Sequence, residues 1–200
     1  MGETERKEKL MIDRLKILKP SWMTVTIIFM ISCLSIQNYR NLPLGKDIVF
    51  ATIYWHGPVL FSQTILLFFI AWQVSSFRKI QLLVAVRGMD DLIQKKLFSL
   101  VTFEVLTYFI WFDASFLLTG HSLFIDGSPV IGICLLLFRI FIIWFLGILL
   151  ISVYTSSYPG IILFSVLVLN LFYHYIIETL FLLGKYSQYY DPLWQVFHQK

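Results

Sequence analysis

Residues 130–153 read VIGICLLLFRIFIIWFLGILLISV, a run with a single charged side chain, Arg139. As a helix it would rise about 36 Å at 1.5 Å per residue, enough to cross the ~30 Å hydrocarbon core of a bilayer. A membrane β-strand would alternate apolar and polar residues, and Ile131–Ile151 does not. In lipid the backbone amides must be satisfied within the segment, so the run is a helix. Working outward, similar runs occupy 97–118 and 58–76 on one side and 161–183 on the other, with a further one at 21–36. The fold class expected is therefore all-α: a polytopic helical membrane protein of five spans.

Composition agrees, since 58% of the residues are hydrophobic and only 14% charged, more apolar surface than a water-soluble domain of 200 residues can hide. Cys33 and Cys134 fall inside apolar runs and read as small buried hydrophobes, with neither a disulfide framework nor metal-ligand spacing. No small-x-small cleavage site follows Ile36, so the first run is kept as a mature span. Without a low-complexity linker or internal repeat, the chain divides into an interfacial segment (1–19), one transmembrane domain (20–184) and a polar and aromatic tail (185–200).

Basic residues set the expected orientation. The N-terminal stretch carries Arg6, Lys7, Lys9, Arg14, Lys16 and Lys19, and Phe77–Lys96 carries Arg78, Lys79, Arg87, Lys95 and Lys96. The alternate segments are poorer: Asn38–Asp47 has Arg40 and Lys46, and Gly120–Ser128 has no lysine or arginine. The positive-inside bias puts the N-terminus and Phe77–Lys96 in the cytoplasm of a cell-membrane protein, and five crossings put Lys185–Lys200 outside. Such basic clusters are topological signals, and nucleic acid is not an expected partner. Leu10, Met11, Leu15 and Leu18 share one stripe, the pattern of a helix lying on the inner leaflet. Ile48–His56 reads as a short outer interfacial helix or as the upper part of a kinked second span.

The segment FRKIQLLVAVRGMDDLIQKK (77–96) is the strongest functional signal. Its first half continues the second helix, and Gly88 interrupts it. Asp90 and Asp91 then place negative charge at a new helix start, with Lys95 and Lys96 at or beyond that helix's end, matching the dipole at both ends. The expectation is a short, charged, cytoplasmic helix between two spans; the plain alternative is a solvated hairpin with topological lysines. The layout of a basic interfacial helix, two spans, this hairpin, then LFSLVTFEVLTYFIWF (97–112) and further spans resembles the permeases of type-2 ATP-binding-cassette exporters. What the resemblance implies is a coupling helix at Arg87, Gly88, Asp90 and Asp91 docking into a separate cytoplasmic ATPase, and assembly as a homo- or heterodimer. Such permeases have six spans; here YYDPLWQVFHQK (189–200) stands where an outer re-entrant region leads to the sixth, as in a shortened member, a chain completed by a partner, or a relative with another role.

Glu104, Asp113, Arg139, His174 and Glu178 fall within the expected spans. A charge at mid-bilayer costs about 2.5–3.5 kcal/mol on insertion scales, so each should face protein or water. Arg139 is expected to snorkel toward a pair with Glu178 or Asp113. Glu104 lies about 180° around its helix from Asp113 and needs a different partner. His174 and Glu178 share one helical face and read either as a proton relay or as structural polar glue. His56 and His121 are expected at the surface or interface. No GxxxxGK[ST], HExxH, GxSxG or dinucleotide fingerprint occurs, and the scattered histidines and carboxylates do not form a metal motif. The expected function is accordingly a non-enzymatic, cofactor-free permease subunit of an ATP-driven exporter. A non-transporting accessory, immunity or assembly protein stands as the alternative, with a proton-linked carrier using His174, Glu178 and Glu104 third.

Overall fold

The computed structural model describes residues 22–35, 45–81, 84, 86 and 88–191, and among them the regular structure is all helix, with no strand. Four helices are long and apolar enough to cross a membrane: α2 (Pro58–Phe77), α3 (Asp90–Leu118), α4 (Pro129–Tyr154) and α5 (Pro159–Tyr186). They alternate in direction, so one end of the bundle carries the basic residues Arg78, Lys79, Lys95 and Lys96, and the other carries the 45–57 and 119–128 loops and the 187–191 turn. The first apolar run contributes α1 (Trp22–Cys33), 12 residues and about 18 Å, short of the ~30 Å core. The amphipathic N-terminal segment, Arg40, Arg87 and residues 192–200 lie outside the described residues.

Proline sets the start of three of the long helices, at Pro58, Pro129 and Pro159, where its missing N–H leaves nothing unsatisfied. Helix α4 is the centre of the packing. Its buried stripe, Leu135, Arg139, Ile143, Leu146 and Leu150, recurs at the helical spacing and faces Leu66, Leu67 and Ile70 of α2 and Val101 and Val105 of α3 in one apolar core. Lipid gives no hydrophobic drive between helices, so close approach matters more than apolar area. Gly147 supplies it, because a Cβ there would stand 2.7 Å from Val101 Cγ1. Trp144 Nε1 adds a hydrogen bond of 2.9 Å to Thr102 Oγ1. Outward faces carry Trp72, Ile110, Phe141, Phe164 and Phe181, all well exposed. Less than half of each span is buried inside the fold, a ratio suited to a lipid surround and hostile to water.

Three expectations are corrected. The charged segment after Gly88 is not a separate short helix: α3 runs unbroken for 29 residues from Asp90 to Leu118. Gly88 does break the chain, at φ 63°, but Leu92–Leu97 contains only good helix formers, and nothing stops the helix at Lys95 or Lys96. Ile48–Tyr54 is a helical turn distinct from α2, separated from it by extended Trp55. It is buried rather than laid on an interface, with Val49, Ala51 and Ile53 fully enclosed. The cysteines are free, and neither is buried: Cys134 is exposed and Cys33 half-buried.

The loop end is closed by side chains rather than by backbone regularity. Asp47, fully buried, accepts from the amides of Phe50 at 2.9 Å, Asp126 at 3.3 Å and Ile125 at 3.4 Å, and from the Tyr186 hydroxyl. Tyr190 donates its hydroxyl to Asp126. Burial first, and that bond second, hold the Tyr190 phenol well above its ordinary range, so it stays protonated and donating. Lys46 stands 4.2 Å above the Tyr189 ring and 3.9 Å from Asp126.

Candidate functional site

Arg139 is the largest fully buried side chain of the described residues, and everything polar around it is organised by its five N–H donors. Nε donates to Gln63 Oε1 at 3.0 Å, and Nη2 to the same oxygen and to Asn170 Oδ1, the latter at 3.0 Å. Nη1 meets Glu178 Oε2 at 3.2 Å. The Tyr173 ring lies 5.6 Å from the guanidinium carbon. Gln63 comes from α2 and Asn170 and Glu178 from α5, so one cation on α4 ties three helices. An enclosed charge is tolerable only where such acceptors surround it. Arg139 thus pairs with Glu178 inside the fold and does not snorkel.

The local backbone helps to aim these groups. Pro58–Gln63 and Tyr173–Leu182 are π-helical, with i→i+5 turns. Such wide turns are uncommon and recur at functional sites. Gln63, His174 and Glu178 all stand on them, and Thr179 Oγ1 donates five residues back to the His174 carbonyl at 2.9 Å. Four buried polar atoms in the cluster, Glu178 Oε1, Gln63 Nε2, Asn170 Nδ2 and the Tyr173 hydroxyl, make no hydrogen bond among the described groups.

From Glu178 the polar path continues outward. Its Oε2 lies 2.9 Å from His174 Nδ1, and His174 Nε2 lies 2.8 Å from His56 Nδ1. His174 is fully buried, while His56 is exposed. The path ends at a cavity of about 380 Å³ at the loop end, walled by His56, Phe50, Tyr54, Trp55, Thr179 and Tyr190. Burial, and secondarily the His174 ring, lower the His56 pKa from its ordinary 6.5. Reading His56 as a surface residue misses its partner, because only packing brings two rings 118 positions apart into contact. The one sequence signal is Gly57-Pro58, which fixes His56 just ahead of a helix start.

The remaining candidates sit elsewhere. Glu104 is fully buried on α3 and accepts from Gln73 Nε2 of α2 at 2.6 Å, its other oxygen unpartnered. Asp113, half-buried on the same helix, lies within electrostatic reach of Tyr108, and its Oδ1 has no hydrogen-bond partner. Tyr108 itself shares its hydroxyl with Ser62 at 2.6 Å. His121 is buried, 2.9 Å from Thr119 Oγ1 and beside the Phe116 ring, which corrects its expected surface placement. Gly88, Asp90 and Asp91 lie at the opposite, basic end, where a second cavity of about 570 Å³ opens between the first turns of α3 and the α4–α5 turn. Lys95, Gln94, Phe98, Ser152, Tyr154 and Thr155 line it, and the buried Tyr154 hydroxyl is unpartnered. Among the described residues no three His, Cys, Asp or Glu side chains converge as a metal site requires.

No protein-family model, curated protein or solved structure matches this chain.

Proposed function

We propose that this chain is a membrane-spanning subunit of an ATP-driven exporter, residing in the cell membrane with its N-terminus and basic end in the cytoplasm. Five crossings, the first including α1, complete the arrangement. One observation carries the reading. Helix α3 is a single rod of 29 residues, about 43 Å long, so roughly 13 Å of it extends beyond a ~30 Å hydrocarbon core. The extension begins with Asp90 and Asp91 in the first turn and stands beside the cavity lined by Lys95 and Tyr154. A force applied at that tip travels along a rigid helix to Glu104, Tyr108 and Asp113 without crossing a hinge. An ATPase docked at Arg87, Gly88, Asp90 and Asp91 would supply it. The translocation path would form between two membrane subunits.

The alternative, an accessory, immunity or assembly protein that binds another membrane protein without transporting anything, draws support from Arg139. That residue, the most obvious lining for a polar path, is consumed by acceptors of its own chain.

Affinity purification of the full chain from its own membranes tests the proposal. Under the exporter reading an ATPase is recovered with it, a cysteine at Asp91 crosslinks to that ATPase, and joint replacement of Arg87, Asp90 and Asp91 uncouples ATP hydrolysis while the chain stays assembled. Recovery of the intact chain with a membrane partner but without any ATPase supports the accessory reading instead. Labelling of a cysteine at Lys95 from outside sealed cells would sink both orientation and coupling.

A further inference from the structure

We propose that His56 and His174 form a proton entry path from the loop-end cavity to the buried Glu178–Arg139 ion pair, making that pair a proton-operated lock on α2, α4 and α5. The inference is independent of the exporter reading.

Hydrogen-bond chemistry assigns the tautomers. Glu178, paired with Arg139, is a carboxylate and can only accept, so His174 Nδ1 at 2.9 Å carries the proton and donates. A neutral His174 then has a bare Nε2, which accepts from His56 Nδ1–H at 2.8 Å. His56 is left with Nε2 as its proton-accepting atom, on a ring that is exposed and forms part of the cavity wall. Every donor and acceptor along the path is matched in one direction, the arrangement in which a proton entering at one end can leave at the other.

The transfer balances in three moves. A hydronium ion in the cavity gives its proton to His56 Nε2 and becomes water. His56 Nδ1 passes its proton to His174 Nε2, and His174 Nδ1 passes its own to Glu178 Oε2. Both imidazoles end neutral, each with the opposite tautomer, and one proton has moved from the cavity to Glu178. Its carboxyl is then uncharged, and Arg139 keeps only the neutral acceptors Gln63 and Asn170. A buried guanidinium without a counter-anion is strongly unfavourable, so the three helices it ties are driven to separate or to admit water. The other ionisable groups facing the path do not replace it. Tyr173 and Tyr108 are within electrostatic reach of Arg139, and Tyr54, Tyr175 and Tyr190 surround His56; all carry phenol hydroxyls, and none is a carboxylate or an imidazole. Lys46 and Asp126 pair with one another beyond Tyr190, and Asp113 and Glu104 make no hydrogen bond to the path.

The test is infrared difference spectroscopy after a pH jump, on the full chain reconstituted in nanodiscs. A protonated-carboxyl band should appear on acidification, and the component of it that E178Q lacks should persist in E104Q and D113N. In H56A the band should reach the same final height about a hundredfold more slowly, the scale on which a positioned proton carrier acts, and added imidazole should restore the rate. A purely structural role for His56 would give no such rescue, and H56Q, which preserves a side-chain hydrogen bond but carries no proton, should be as slow as H56A. If H56A forms that component at the original rate, or E178Q loses no component of the band, or the full chain shows no band, the proposal is overturned.

Discussion

At the scale of single residues, Arg139 shows how a charge survives inside an apolar bundle. Its burial is offset by a carboxylate and two amide oxygens from two other helices, and removing one member leaves the rest exposed to the full desolvation cost. Arg139→Ala should therefore lower stability by about 3–5 kcal/mol, the usual consequence of breaking a buried pair from one side. Joint replacement, Arg139→Met with Glu178→Gln, should cost distinctly less, because no unpaired ion remains and the glutamine oxygen still accepts from His174. Unfolding midpoints in mild detergent measure both. A double variant as damaged as the single one would show that the charge pair is not what holds α4 and α5. The ion pair was one of two expected from the residue inventory; the two amides were not, since Gln63 and Asn170 look in sequence like any polar residue near a helix turn.

Among the elements, α3 and α4 meet where a side chain is absent. Gly147 faces Val101 at a distance that leaves no room for a β-carbon, so Gly147→Val must push the helices apart or force strained rotamers, costing about 1–3 kcal/mol. The Trp144–Thr102 hydrogen bond, one turn away, should weaken with it. A cysteine pair across this crossing, with crosslinking rate as readout, checks the change in spacing, and an unchanged rate would refute close packing at Gly147. The break ahead of α3 was legible for the same reason that α3's length was not. A left-handed φ of 63° at Gly88 is a local property carried by one residue. Continuation of α3 past Lys96 depends on the lack of any stop signal, and charged residues interrupt an apolar run without interrupting a helix.

For the molecule as a whole, pH is the natural lever. His56 has its pKa lowered in the folded state, so the unfolded chain binds more protons than the folded one just below the ordinary value of 6.5. The sign follows: this contribution is fully present above that value and is lost as pH falls through it toward the folded pKa. Thermal midpoints of the detergent-solubilised chain should fall on acidification across this window, and H56N should flatten the dependence. A midpoint that rises in mild acid would contradict the lowered His56 pKa beside His174. Acid should act at the loop end first, since His56 lies there, and leave the basic end of α3 unaffected, which site-specific labelling at Gln94 and Thr155 can follow.

What the residues alone determined is the helical secondary structure and an apolar character consistent with a membrane protein. Apolar runs of bilayer length, with amides that cannot be left unpaired in lipid, admit only helices, and the prolines and Gly88 mark their ends through local backbone chemistry. The same reading nominated Arg139, His174 and Glu178, since a charge inside such a run demands a partner. Which partners they meet was decided by tertiary structure. His56, Gln63 and Asn170 join the network through helix rotation and wide π-helical turns, and those depend on how side chains from distant segments pack, which no spacing along one helix encodes.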